Sequence, residues 1–318
     1  MHIGIDIGAT KVRVGIGDLH HGIVKKIEEK TRGESSETFV TQILEMILKL
    51  TSGDLSKITS IGIGSIGPID YKKGIILSPP NVFFKNVPIV EILKDKFKKA
   101  TYLLNDCTAA VLGEKFFGLG RNYENIFYIT LSTGIGGGAI IDGHLLLGKD
   151  GNAVEIGHIV VDLEGRMLCG CGGTGHWEAY CSGRNMPRFI KYIIDSRPEE
   201  FCREIYKKLT SEGNLTTDRV FNLARSGDIY ALKIIEEIGR INAIGFANIN
   251  TVYDPEIITV GGAITLNNPE LILDPVKKQV YRYTPNRIPI ITITPLGEDV
   301  VLYGSIALAS NPPSILRG

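Results

Sequence analysis

Neither sign of charge is in excess: the 318 residues carry 35 Lys+Arg against 35 Asp+Glu, a net charge of zero. General nucleic-acid binders usually carry a basic surplus, so the balance speaks against nucleic acid as a partner. Cysteine is scarce, with five residues in all. That number is odd, and Cys169 and Cys171 stand too close together for a disulfide framework, which fits a reducing cytoplasm. No apolar run is long enough to span a bilayer, so no membrane association is expected. The opening Met-His-Ile-Gly-Ile-Asp-Ile-Gly reads as a strand, not as a basic leader with a cleavage site. Low-complexity tracts and long linkers are missing as well.

The length suits two lobes or one large domain. His2 to Ile7, Lys11 to Ile16 and Ile23 to Ile27 read as strands, and Ser36 can cap a helix reaching about Leu50. That helix carries Phe39, Ile43, Met46, Ile47 and Leu50 on one face. Ile58 to Ser65 is a buried strand entering the loop Gly64-Ser65-Ile66-Gly67-Pro68. Ile89 to Lys99 is helical, and Thr101 to Leu104 is a strand that turns at Asn105-Asp106 into a helix. Strands recur over Ile126 to Leu131, Gly136 to Ile141 and His144 to Leu147. Both halves therefore open with strands around a glycine-threonine corner, the trace expected of a duplicated lobe. Beyond a loop-rich stretch the chain is mainly helical: Ser182 to Asp195, Glu199 to Leu209, Thr217 to Arg225, and Asp228 to about Val252. Ile257 to Val260 and Ile290 to Ile293 are late strands, and Val300 to Ala309 is a final helix. Strands alternating with helices make an α/β chain.

Four motifs carry chemistry. In Gly4-Ile5-Asp6-Ile7-Gly8-Ala9-Thr10-Lys11, a strand delivers a carboxylate and glycine lets the backbone approach an anion. Asp6 with Gly8, Thr10 and Lys11 would suit ATP with Mg2+; a tight hairpin with a half-buried Asp explains the same residues. The spacing is not that of a P-loop. In Ser132-Thr133-Gly134-Ile135-Gly136-Gly137-Gly138, Thr133, Gly134, Gly136 and Gly137 would bare backbone N–H groups to a phosphate, or form a bulged hairpin. Asn105-Asp106 stands at a strand-to-helix junction. Read alone, Asp106 is better taken as a helix cap than as a base, although such a carboxylate can orient a hydroxyl and take its proton late in phosphoryl transfer. Finally, Glu155-Ile156-Gly157-His158 precedes Cys169-Gly170-Cys171 and His176-Trp177-Glu178. Two Cys and two His within about twenty residues make a zinc site or a glycine-rich loop with incidental thiols. Zinc is the preferred reading, since nothing else in the pattern would order that loop. Cys107 and Cys202 read as buried cysteines, and Cys181 as packing.

Taken in order, these motifs resemble the ROK family (repressors, open reading frames and sugar kinases). The resemblance covers nearly the whole chain and is most specific from Asn105 to Ser182. It implies an actin-like, hexokinase-like ATPase fold of two lobes with ATP and sugar in the cleft between them. The lobes would be residues 1–118 with 304–318, and residues 119–303 with the zinc-type loop at 157–181. It assigns Asp106 as general base and places Gly67, Asn81, Asn105, Glu155, His158 and Glu178 at the sugar. The glycine corners would hold phosphates, with Gly261 and Gly262 near the adenosine. His158, Cys169, Cys171 and His176 would hold zinc, with His158 turning its other ring nitrogen to the sugar. His176 replaces the family's third signature cysteine, and Ala9 its usual second glycine. A methyl at Ala9 is tolerable if its backbone stays in the ordinary region.

The implied activity is ATP-dependent phosphorylation of the 6-hydroxyl of a hexose or N-acetylhexosamine. Glu155 to Val161 and Glu178-Ala179-Tyr180 lean towards N-acetylmannosamine, with glucose close behind. The family also contains sugar-responsive repressors, but these carry a DNA-binding segment before the first corner, which here begins at Gly4. A non-catalytic sugar-binding protein is the third reading. By analogy with the family, a homodimer or homotetramer is expected.

Overall fold

The structure is a computed structural model that describes residues 1–79, 82–201, 203–210, 213 and 215–316. Its strands are β1 (His2–Ile7), β2 (Lys11–Asp18), β3 (Gly22–Lys30), β4 (Ser60–Ser65), β5 (Ile69–Asp70), β6 (Ile75–Ile76), β7 (Ala100–Asn105), β8 (Ile126–Leu131), β9 (Ile135–Ile141), β10 (His144–Leu145), β11 (Ile257–Gly261) and β12 (Ile290–Ile293). Its helices are α1 (Ser36–Thr51), α2 (Ile89–Phe97), α3 (Asp106–Phe116), α4 (Glu178–Cys181), α5 (Met186–Ser196), α6 (Arg203–Thr210), α7 (Thr217–Arg225), α8 (Ile229–Tyr253), α9 (Ala263–Asn267), α10 (Pro269–Gln279) and α11 (Val300–Ser310).

Two five-stranded sheets share one plan. The first runs β3-β2-β1-β4-β7 and the second β10-β9-β8-β11-β12, so each is ordered third, second, first, fourth, fifth. The layout repeat expected from the two corners is thus a repeat of topology. In the first sheet β1 pairs antiparallel with β2, with Asp6 opposite Arg13, and parallel with β4, with Ile7 opposite Ser65. β4 in turn pairs parallel with β7, with Ser65 opposite Asn105. The carboxyl ends of three neighbouring parallel strands therefore deliver the first corner, the Gly67 loop and Asn105-Asp106 to one edge. That edge is where open α/β sheets place ligands.

β4 is buried at every position, as a central parallel strand covered on both faces must be. One cover is α11, apolar almost all round and buried from Val300 to Ala309 save for half-buried Val301 and Tyr303. Ser305 Oγ donates to the Ile5 carbonyl at 2.9 Å, and Ile306 side-chain atoms fill the space beside Gly4. α1 buries Phe39, Ile43, Met46, Ile47 and Leu50, but its cap is Ser35 and not Ser36. Ser35 Oγ accepts from Thr38 N while Thr38 Oγ1 accepts from Ser35 N, a reciprocal capping box. Asp228 caps α8 through Tyr230 N and Ala231 N, as its sequence position indicates. α9, α10 and the β5–β6 hairpin were not expected, and the stretches read as helices from Ser182 and Glu199 begin instead at Met186 and Arg203.

The chain forms two compact units, Met1–Tyr128 with Gly138–Val154 and Thr294–Gly318, and Ile129–Gly137 with Glu155–Ile293. Among the described residues no helix is long and apolar enough to cross a membrane.

Candidate active site

In the first unit, Asp6 is buried to 6% exposure at the end of β1. Its Oδ2 accepts from Arg13 Nη1 at 3.0 Å. Arg13 holds two more carboxylates, Glu28 through Nε at 2.7 Å and Glu298 through Nη2 at 3.0 Å. Burial pushes the Asp6 carboxyl up to about 7 against the pull of Arg13, and Asp106 and Asp299 push the same way. Even with Lys11 on Glu28 and Lys26 on Asp299, the carboxylates of Asp6, Glu28, Glu298, Asp299 and Asp106 outnumber the cations beside them. Arg13 was absent from the sequence reading, yet a tight corner after Ile7 makes it the cross-strand partner of Asp6.

The corner itself is tight: Gly8 N donates to the Lys11 carbonyl at 3.0 Å, and a Cβ on Gly8 would sit 2.9 Å from that oxygen. Glycine is needed here for close approach. Ala9 is not among the residues with positive φ, so its methyl meets the condition set for it. Thr10 is exposed. Lys11 is half-exposed and already paired, its Nζ 2.7 Å from Glu28.

Asn105 corrects the reading of Asp106 as a cap. The N-cap of α3 is Asn105, whose Oδ1 accepts from Cys107 N at 2.9 Å and Thr108 N at 3.4 Å. Asp106 is the first helical residue, half-buried, with Oδ1 on Cys107 N at 2.8 Å. Gly67 lies beside them, since a Cβ there would be 3.5 Å from Asn105 Nδ2. Asn81 lies outside the described residues, as does Cys202.

In the second unit the corner is Ser132-Thr133-Gly134, closed by Ser132 N donating to the Gly134 carbonyl at 2.9 Å. Gly136 and Gly137 lie inside β9 and not in the corner. Gly138, in the first unit, is required by packing, because a Cβ there would fall 2.2 Å from the Cys107 carbonyl oxygen. The glycine run therefore serves two purposes, which composition alone cannot separate. Gly262 has φ +85°, and a Cβ on it would lie 2.4 Å from the Leu131 carbonyl oxygen, so Gly261-Gly262 and the second corner are brought together at the ends of β11 and β8.

Glu155, His158 and Glu178 also converge here. Glu155 is exposed, with its carboxylate within electrostatic reach of His158 and Glu178. Glu178 is half-buried, and its Oε2 accepts from Ile135 N at 3.0 Å, tying it to the strand that leaves the corner. Its Oε1 is 3.8 Å from Cys169 Sγ.

The ligand atoms of His158, Cys169, Cys171 and His176 lie within 4.8 Å of one another. Cys171 Sγ is 3.3 Å from His176 Nδ1, and Cys169 Sγ is 3.7 Å from His158 Nδ1. A tetrahedral ion with bonds of ~2.0–2.3 Å sets its ligand atoms roughly 3.3–3.8 Å apart, so the four groups fit zinc with little movement. Cys181 is buried elsewhere, its Sγ 3.6 Å from the Ile238 carbonyl oxygen. The loop has a further source of order that the sequence reading lacked. Asp162 takes a two-pronged bond from Arg166 at 2.8 Å on each oxygen, and Tyr180 O–H donates to Asp162 Oδ2 at 2.5 Å.

The sequence profile of the ROK family matches residues 2–311. The chain belongs to the ROK family. The glucokinase of Pyrobaculum calidifontis is 37% identical over 316 residues, covering 99% of this chain and 97% of that protein. The crystal structure of a ROK glucokinase from Streptomyces griseus, in complex with glucose and AMPPNP, superposes with a TM-score of 0.77 at 31% identity, covering 97% and 98% of the two chains. A proposed N-acetylmannosamine kinase from Listeria monocytogenes superposes with a TM-score of 0.75, but at 23% identity over 96% of each chain. The fold is the α/β, two-lobed, actin-like fold of the ROK kinases, and the protein is an ATP-dependent sugar kinase.

Proposed function

We propose that this ROK kinase is a glucokinase, transferring the γ-phosphoryl group of ATP to the 6-hydroxyl of glucose. The observation that carries the choice of sugar is the 37% identity to a glucokinase along nearly the full length of both chains. The likeness to the N-acetylmannosamine kinase stands at 23%, a level that speaks for the fold alone, so the leaning of the sequence reading towards that sugar gains no support. Assayed side by side on glucose, mannose, N-acetylglucosamine and N-acetylmannosamine, the enzyme is expected to show its highest kcat/KM with glucose. A higher value with N-acetylmannosamine would overturn the assignment.

Asp106 is the base in this reading: it accepts the proton of the 6-hydroxyl as the new O–P bond forms and ADP departs. Asn105 spends its Oδ1 on the helix and keeps Nδ2 for a sugar hydroxyl. Gly67, Asn81, Glu155, His158 and Glu178 complete the hydroxyl-reading set, since amides and carboxylates that pair with hydroxyls reject analogues lacking them. Gly8 and Thr10 bind phosphate, and so do Thr133 and Gly134. Gly136 and Gly137 contribute as the rigid start of β9, and Gly261-Gly262 lies by the nucleotide. Lys11 reaches phosphate by exchanging its Glu28 partner. Mg2+ supplies charge neutralisation on the triphosphate when bound, and the carboxylate excess around Asp6 suits a cation of that kind.

His158, Cys169, Cys171 and His176 hold one structural zinc ion in the same reading. With Nδ1 turned to the thiols, His158 has Nε2 left for the sugar side. Metal analysis of protein purified without added metal is expected to give close to one zinc per chain, and Cys171→Ser well below that. A stoichiometry near zero in the wild type would sink the four-ligand site.

A further inference from the structure

α4 is four residues long, one turn carrying Glu178, and a single helical turn has too few internal bonds to hold its own direction. Two buried aromatic side chains flank Glu178 and hold the turn from opposite sides. Trp177 Nε1 donates to Asn242 Oδ1 at 2.8 Å, and its ring lies on the bare backbone of Gly245 in α8, where a Cβ would be 2.5 Å away. Tyr180, fully buried, stands edge-on to Phe189 with ring centroids 5.0 Å apart. Its O–H donates to Asp162 Oδ2 at 2.5 Å and accepts from Met167 N at 3.0 Å.

Asp162 is fixed in turn. Its side chain is 4% exposed, and Arg166 holds it through Nε and Nη2. Arg166 N donates to the same carboxylate at 3.1 Å. Fork-to-fork pairs of this kind fix orientation as well as distance. The Tyr180 hydroxyl therefore joins α4 to Met167, two residues before Cys169, through groups that owe nothing to the Cys/His cluster.

We propose that Tyr180 and Asp162 are positioning residues for Glu178, setting the direction in which its carboxylate meets the sugar. The proposal rests on the reading of Glu178 as a sugar contact. Without the Tyr180 hydroxyl, the Asp162 carboxylate and Met167 N lose their shared partner, and the turn carrying Glu178 keeps Trp177, the Tyr180 ring on Phe189, the bond from Asn185 Nδ2 to the Glu178 carbonyl and the contact of the Cys181 thiol with the Ile238 carbonyl, but no bond to Asp162. Glu178 can then shift on these remaining ties while its bond to Ile135 N lengthens. The second glycine corner meets Glu178 at Ile135 N, and it keeps separate ties of its own, from Gly183 N to the Ser132 carbonyl and from Arg184 N to the Thr133 carbonyl, that do not pass through the Tyr180 hydroxyl.

Tyr180→Phe keeps the ring against Phe189 and removes only the hydroxyl. The variant is expected to raise the KM for glucose about tenfold, the loss of one charge-assisted hydrogen bond. The KM for ATP should stay within about twofold, and the metal content should match the wild type. If Tyr180→Phe does not fold, Asp162→Asn, which leaves a single acceptor oxygen for Tyr180 and Arg166 to share, is expected to give the same split in smaller measure. The double variant Tyr180→Phe/Glu178→Gln should bind glucose no more weakly than Glu178→Gln alone, since one residue acts through the other. Additive losses, or a glucose KM unchanged in a folded variant, would overturn the proposal while leaving Glu178 as a sugar contact. A Glu178→Gln enzyme with the wild-type glucose KM would remove that contact and the proposal with it. An equal rise in KM for both substrates would mark Tyr180 as part of the core and nothing more.

Discussion

Asp106→Asn is expected to lower kcat about 10³-fold, within the ~10²–10⁴-fold range a positioned base contributes, while glucose binding survives. The structure makes this substitution a clean one. The cap of α3 is Asn105, so exchanging Asp106 does not uncap the helix. The bond from Cys107 N to Asp106 Oδ1 can be kept by the amide oxygen of asparagine. Asn105→Ala is the contrasting case, where losing the cap should cost about 1 kcal/mol of stability. A coupled turnover assay reads the first effect, and the shift of melting temperature with added glucose shows that the site still binds. If Asp106→Asn keeps near wild-type turnover, the proton goes elsewhere. If it fails to bind glucose, Asp106 positions the sugar instead of deprotonating it.

Asp106 was legible as a candidate base because Asn and Asp stand together where a strand meets a helix and the ordered motifs resemble the ROK family. Which of the two caps the helix was not, since both residue types serve and only the backbone entry angle decides between them. Arg13 was hidden differently. Its charge looked like that of any strand lysine or arginine, and its partner became definite only once the corner length placed it opposite Asp6. The helix over Pro269–Gln279 went unread because Pro275 interrupts it, and an internal proline ordinarily ends a helix. It persists because Pro275 packs on Gly239 of α8, where even an added Cβ would stand 2.2 Å from the ring. The second corner shows the same dependence on neighbours. Its glycines look alike in the sequence, but Gly138 answers to α3, whereas Gly134 leaves room for the Glu178 carboxylate, 2.7 Å from where its Cβ would be. Tertiary neighbours sorted these residues, and no local pattern carries that information.

Gly304→Ala is expected to damage both stability and catalysis. A Cβ on Gly304 would lie 1.7 Å from the Ala109 carbonyl oxygen and 2.3 Å from its carbon. The reverse contact is nearly as close, with a Cβ on Gly113 lying 2.5 Å from the Val300 carbonyl oxygen. α3 and α11 thus meet backbone to backbone, one glycine on each. Because the obstructing atoms are main chain, no rotamer change relieves the clash, and the helices must part. Overpacking of this kind costs roughly 1–3 kcal/mol and occasionally more. At the upper end this lowers the melting temperature by roughly 4–5 °C in a chain of this size. The same displacement reaches the chemistry, since Ala109 is three residues from Asp106 on α3. A shift of about 1 Å at a reacting group can cost 10²-fold in rate, so kcat should fall even in the fraction that stays folded. Pairing Gly304→Ala with Ala109→Gly tests the cause. Removing the Ala109 methyl leaves its carbonyl in place, so neither melting temperature nor kcat should recover. Recovery in the double variant would show that the helices touch through side chains and that α3 can give way without moving Asp106.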